Sequence, residues 1–196
     1  LLILIRHVCA VAGGADSSGY LNEARMLSRG ILTEPVAGLR LLHLDDSAIN
    51  LFLPLGFIPG PRPATMVPSY PAGLPAHMVL AAMIGGWTLA PFLISPLAAA
   101  GSVLLFLIIA RMLGLPRWWG ACGALIVALC PVVLFQAIQP MSDVLAMFWA
   151  MAMIALALAA RHRSWMAILA GGAFGMGVAV RPTSAVLLIP LLLALE

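Results

Sequence analysis

The sequence predicts an all-α protein, a polytopic transmembrane helical bundle with a long first outer loop carrying interfacial amphipathic helices, on three observations. Hydrophobic residues make up 63% of the chain and charged ones 9%, with a mean hydropathy of +1.10; soluble domains are about half apolar and a quarter charged. One extended polar region, residues 13 to 75, interrupts the apolar sequence. Beyond it, apolar runs are joined by short connections, several carrying arginine, the mark of cytoplasmic loops.

Taken in order, residues 1–12 are apolar except for Arg6 and His7 and are shorter than the roughly 20 residues a span needs. They read as the end of a first span, with a cleaved signal peptide as the competing reading. The chain lacks an initiating Met and stops inside the apolar run from Leu187 to Leu195, which predicts an N-terminal portion of something longer. Residues 13–95 read as an outer loop with interfacial helices. Its first helix is expected to have Asp16, Ser17 or Ser18 as N-cap and Gly30 as terminator, with Tyr20, Ala24 and Leu27 on one face and Asn22, Arg25 and Arg29 on the other. Pro54 to Pro75 is too rich in proline for helix and is expected to be coil.

Between Arg62 and Arg111 no charge occurs, but Gly85, Gly86, Pro91 and Pro96 break the run. Two spans compete there with one interfacial helix, Ala76 to Leu89, followed by a single span from about Pro96. Residues 96–196 then hold about five spans, the last incomplete: to Arg111, Ala121 to Ala137, Val144 to Ala160, Trp165 to Val180, and Ala185 onward. Short loops around Arg111 and Arg117, and around Arg161 and Arg163, belong inside by the positive-inside rule. Gln139 to Asp143 and Arg181 are then outside, and a single span before Arg111 puts the long loop, with Asp16, outside as well.

Composition excludes some functions. All ten basic residues are arginine, the net charge of +3 is scattered, and no nucleic-acid footprint results. Cys9, Cys122 and Cys130 lie in apolar runs as small hydrophobes. His43, Asp45 and Asp46 lack a specific metal-ligand spacing and read as a solvated turn. Trp118, Trp119 and Trp165 beside arginines read as interface anchors. Gly171, Gly172, Gly175 and Gly177 read as helix-packing positions rather than a nucleotide loop.

Asp16, on a Gly/Ser turn at a span exit, and Asp143, the only acid between Asp46 and Glu196, are the candidate catalytic residues. Arg181, on the outer side against the positive-inside trend, suits an anionic phosphate, because a guanidinium fork matches its oxygens; snorkelling of a span-end arginine is the competing reading. Arg6, a charge inside an apolar run, calls for a carboxylate or phosphate partner or for a headgroup within reach. Tyr20, on the face shared with Ala24 and Leu27, joins Arg181 and Arg6 among the candidate substrate-binding residues.

An ordered set of short motifs carries a family resemblance. These are Asp16-Ser17-Ser18-Gly19-Tyr20 leading to Ala24-Arg25-Met26-Leu27, then Tyr70-Pro71-Ala72-Gly73-Leu74-Pro75, then Ala110-Arg111-Met112-Leu113-Gly114. Gln139-Pro140-Met141-Ser142-Asp143 and Val180-Arg181-Pro182 complete the set. The chain resembles the N-terminal portion of the GT-C integral membrane glycosyltransferases, of the dolichyl-phosphate-mannose protein mannosyltransferase and aminoarabinose lipid A transferase type. The resemblance implies a polyprenyl-phosphate sugar donor, a lipid, glycan or protein hydroxyl as acceptor, membrane lipids as surroundings, and no nucleic acid. It also implies an active site on the outer face of a bacterial inner membrane, in the cell envelope. Asp16 matches the family's first-loop acid, expected to act as general base or to orient the acceptor. Asp143 matches its second outer-loop acid, and Arg181 its basic residue at the donor phosphate. Many relatives carry a second acid where Ser17 stands here. That difference counts against a two-carboxylate metal site at Asp16, and the implied lipid monophosphate donor leaves with its own phosphate, so a divalent metal is possible but not required and no cofactor is assigned.

Two rivals follow from the same residues. A transporter or flippase would line a permeation path with Asp16 and Asp143, and predicts polar groups in the middle of several spans, where this sequence has almost none. A structural or assembly protein without a reaction makes no demand on the carboxylates.

Overall fold

The computed structural model describes residues 2–8 and 10–195, with 70% helix and 5% strand. Cys9 and Glu196, named above, lie outside the described residues. The first helix, α1 (Leu2–His7), ends well before Ala12.

Helix α2 (Ala15–Ser28) starts from an extended Gly14 with no side-chain cap. That corrects the expected cap: Asp16 lies inside the first turn, and its carboxylate is free for another partner. The far end is as expected, since Gly30 has φ +69°. Its N–H donates to the Leu27 carbonyl at 2.9 Å and the Ile31 N–H to Met26 at 3.0 Å, the paired bonds that close a glycine-terminated helix. Tyr20 and Ala24 are buried and Arg25 and Arg29 exposed, so the sequence pattern gives the packed face correctly.

Pro54 to Pro75 forms no helix before Gly73, as expected, but it contributes short strands where ordered or wandering coil was expected. Strands β1 (Glu34–Pro35), β2 (Phe57–Pro59) and β3 (Thr65–Pro68) form a small antiparallel sheet in the order β1-β3-β2, with Ile58 opposite Val67 and Glu34 opposite Met66. Pro59 and Pro68 end their strands and Pro35 lies in an edge strand, where a missing N–H is tolerated, while Pro54, Pro61, Pro63 and Pro71 lie in the connections. A short helix, α3 (Ala37–Leu41), covers this sheet, and Val36, Leu39 and Ile49 make a separate small core. Asp46 Oδ1 accepts the Ala64 N–H at 2.7 Å. It is thereby a loop brace, and among the described residues no cluster of three His, Cys, Asp or Glu side chains is placed to hold a metal.

Helix α4 (Gly73–Gly85) is apolar, and Gly86, with φ +77°, ends it. Its 13 residues span about 20 Å, short of the ~30 Å hydrocarbon layer. Leu74, Met78 and Ala82, at spacings of four, are buried, while Met83 and Ile84 are exposed.

Two helical segments are long and apolar enough to cross a membrane: Ala90–Met112, with 23 residues, and α8 (Ser142–Ala160), with 19. Within the former, a 3-10 turn at Ala90–Leu93 leads into α5 (Ile94–Met112). The run expected as one span from Ala121 to Ala137 is instead α6 (Arg117–Leu129) and α7 (Pro131–Ala137), bent by 57°. Cys130 is extended, because a following proline disfavours helical geometry and supplies no N–H. Counted as one, the bent pair makes a third candidate span. Helix α9 (Met166–Val180), a 3-10 turn at Pro182–Leu187 and α10 (Leu188–Leu195) are shorter. Together these findings make the chain an integral membrane protein.

Helix α8 is the centre of the body. Val144, Leu145 and Ala146 at its start and Met153 and Ala157 further on are all buried. Along α9 the inward positions are Ala170, Ala173, Gly177 and Val180. Gly171, Gly172 and Gly175 have open space where a Cβ would stand, so only Gly177 of the expected packing glycines meets a neighbour, the Trp149 side chain. His77 Nδ1 lies 2.7 Å from the Gly73 carbonyl, and Trp149 Nε1–H donates to His77 Nε2 at 3.2 Å, which ties α4 to α8. No pattern in the sequence announces this pair.

Candidate functional site

The chain folds so that one end of the helical body gathers Asp16, Asp143 and Arg181. Helix α9 runs antiparallel to α8, so its C-terminal Arg181 returns to the start of α8, where it forms an ion pair with Asp143. Gly73, at the start of α4, lies against the backbone of Ala179 and Val180 so closely that a Cβ has no room. The start of α2 meets the same corner: Ser17 donates to Met141 Sδ at 3.7 Å and Tyr20 to Ser142 Oγ at 3.0 Å.

These contacts enclose a cleft of about 300 Å³. Asp16, Tyr20, Asp143 and Arg181 all line it, together with Tyr70 and Ser142. The structure thus brings together four of the five residues singled out in the sequence. Arg6 is exposed on α1, outside this lining. Cavities of about 330 and 460 Å³ elsewhere are lined by apolar side chains of α1 and α5 to α9 and hold no titratable group. Of these three, the smaller cleft is the one lined by charged side chains.

Tyr70 is the residue that sequence reasoning missed. Its hydroxyl donates to Asp16 Oδ1 at 2.5 Å, and its ring packs on Tyr20 with centroids 4.7 Å apart. The ring fits a slot between Gly19 in α2 and Gly56 in the loop; a Cβ on either glycine would collide with it. Gly56, at φ +90°, also suits a backbone conformation that side-chain-bearing residues avoid. The Tyr70-Pro71-Ala72-Gly73-Leu74-Pro75 motif was legible, but the partner of Tyr70, 54 positions earlier, was not, because no local pattern encodes a contact across a loop.

The electrostatics follow from these partners. Donation to Asp16 pushes the Tyr70 hydroxyl up to about 12, because the proton is held by a carboxylate. Burial raises the Tyr20 phenol, with the Asp16 and Glu23 charges adding to the rise and the Ser142 hydrogen bond and Arg181 opposing it. Both tyrosines therefore stay neutral donors at physiological pH. Asp143 and Arg181 remain about two-fifths exposed, so the pair is open to an incoming anion. Surface pairs of this kind are held weakly, by about 0–1 kcal/mol. The donor set does not suit a divalent cation: Asp16 is engaged by Tyr70, Asp143 by Arg181 and Ser17 by Met141, whereas such ions need several converging oxygens.

The fold and the cleft define a class: a helical membrane protein with a cleft lined by carboxylates and an arginine where helices end. No curated protein and no solved structure matches the chain. Residues 76–195 match the family described as dolichyl-phosphate-mannose-protein mannosyltransferase, and the chain belongs to that family of GT-C membrane glycosyltransferases. The matched stretch contains Asp143 and Arg181 and begins after Asp16, Tyr20 and Tyr70.

Proposed function

We propose that this protein transfers a sugar from a polyprenyl-phosphate donor to a lipid, glycan or protein hydroxyl, on the outer face of a bacterial inner membrane. In this reading residues 1–12 end a first span, 13–95 form the outer loop with α2 and α4 interfacial, and 96–196 contribute about five spans of one transmembrane domain. The observation that carries the reading is the convergence of Asp16, Tyr20, Asp143 and Arg181 on one cleft.

Asp16 is the general base. It takes the proton of the acceptor hydroxyl as that oxygen attacks the anomeric carbon. The bond from that carbon to the phosphate oxygen breaks, its electron pair leaves with the polyprenyl phosphate, and Arg181 stabilises the charge that develops there. Asp143, a catalytic candidate on sequence grounds, acts here by holding the Arg181 guanidinium in position. The Tyr70 hydrogen bond fixes the Asp16 carboxylate, leaving its second oxygen to face the acceptor, and Tyr20 supplies a wall of the substrate cleft.

Replacing Asp16 by Asn in the intact protein tests this directly. Transfer from a polyprenyl-phosphate donor should fall by roughly 10²- to 10⁴-fold, the usual contribution of a positioned base, with membrane insertion unchanged. Full transfer by a normally inserted Asp16→Asn protein refutes the role of Asp16 as base.

A further inference from the structure

Seven residues beyond Asp16, on the same face of α2 as Tyr20, stands a carboxylate that the proposed chemistry does not use. Glu23 is only 4% exposed. Its Oε2 is buried and has no hydrogen-bond partner among the described residues. It borders a cavity of about 200 Å³ whose other walls include Met26, Leu27 and Ile31 on one side and Val67, Pro68 and Ala72 on the other. Those two walls continue into the two partners of the cleft's shortest tyrosine contact. The α2 wall leads back to Asp16, and the Val67 to Ala72 wall carries Tyr70.

A carboxyl in such surroundings is tolerable neutral and costly ionised, because an isolated buried charge must recruit water or a partner. Nothing nearby supplies the partner. Strand β3 has no titratable group. His77, the only one in α4, has both ring nitrogens tied to Gly73 and Trp149. On α2 itself Arg25 is exposed, and the Glu23 charge acts on Tyr20, a neutral phenol. The cavity is large enough for several waters, and water drawn in to solvate the charge would wedge α2 away from the 67–72 segment.

Resting on the reading of the cleft given above, we propose that Glu23 is a positioning residue: its neutral carboxyl keeps α2 seated against the 67–72 segment and thereby holds Tyr70 on Asp16. Burial pushes the Glu23 carboxyl up to about 7. It therefore binds a proton in the folded protein over a pH range where the unfolded chain has released it. The stabilisation is complete below the ordinary value of 4.5 and is lost as pH rises through about 7.

The test compares the intact native protein with Glu23→Gln, whose amide is neutral at every pH. Two readouts are taken between pH 6 and 8.5: sugar transfer, and amide hydrogen exchange of residues 15–28, corrected for the intrinsic pH dependence. Native transfer should fall by roughly ten- to thirtyfold across that range, following loss of the neutral form. Exchange in α2 should rise in step, and Glu23→Gln should flatten both profiles. A native exchange profile that Glu23→Gln reproduces overturns the proposal, whatever the transfer assay gives. Exchange needs no reaction, so this failure is distinct from failure of the cleft as an active site, which Asp16→Asn reports. Should Glu23→Gln not accumulate, a native protein whose corrected α2 exchange is level from pH 6 to 8.5 overturns the proposal by itself, and one that rises through pH 7 supports it.

Discussion

The two ends of the helical body carry charge in opposite ways. At the cleft end, Asp16 is bound by Tyr70, Asp143 by Arg181, and Tyr20 by Ser142. At the other end, where α5 gives way to α6 and α8 to α9, Arg111, Arg117, Arg161 and Arg163 are all exposed, and among the described residues none has a carboxylate partner. Trp118, Trp119 and Trp165 stand beside them, exposed by 82%, 72% and 53%. Charges that pair across elements fix a geometry. Arg161 Nε–H reaches the Ala194 carbonyl at 3.4 Å, but charges without a carboxylate partner beside exposed indoles otherwise meet water and headgroups, where position within a few ångströms is of little consequence.

Substitutions at the two ends should therefore differ in kind. The largest effect expected of a cleft cation is at Arg181, where Arg181→Ala removes the charge proposed to face the leaving phosphate; transfer should fall by roughly 10²- to 10³-fold. Asp143→Asn leaves the guanidinium present but unsteered and should cost less, on the order of tenfold. Equal losses in the two variants would mean that the pair acts as a unit. Tyr70→Phe removes one hydrogen bond to a charged group, worth about 1.5–3 kcal/mol. If Asp16 is held only by that contact, transfer should drop by at least roughly tenfold with membrane insertion unchanged; an unaltered rate would assign its orientation to something else. Smallest of all, Arg161→Gln and Arg163→Gln, singly, should leave transfer within about twofold, as surface substitutions do. A large loss from either would erase the contrast between the ends.

How much of this was legible in the sequence depends on what kind of signal each residue emits. Asp16, Asp143 and Arg181 stood out because ionised groups are scarce in so apolar a chain, and arginine placement grouped them. The buried face of α2 and its glycine stop followed from periodicity and backbone chemistry. The bend at Cys130 and Pro131 was present in the letters, but a run of hydropathy hides a break that hydrogen bonding enforces. Strands of two to four residues bounded by proline fall below any periodic signal, which is why the 57–68 hairpin read as coil. Tyr70, Ser142 and the His77–Trp149 tie are long-range pairings between ordinary residues, and only packing reveals them. Glu23 drew no notice for a different reason: a glutamate in a polar stretch looks solvated, and its burial is decided by the segment that folds over it.

The Tyr70 slot has a consequence for anyone stabilising this protein by rule. Gly19 sits inside α2, where alanine is favoured by about 1 kcal/mol in an isolated helix, so a propensity-driven redesign would replace it first. The added methyl would occupy the space of the Tyr70 ring and push that side chain off Asp16. A more robust helix would then come with a disarmed cleft, and the glycine that looks like a defect in the secondary structure is a requirement of the tertiary one.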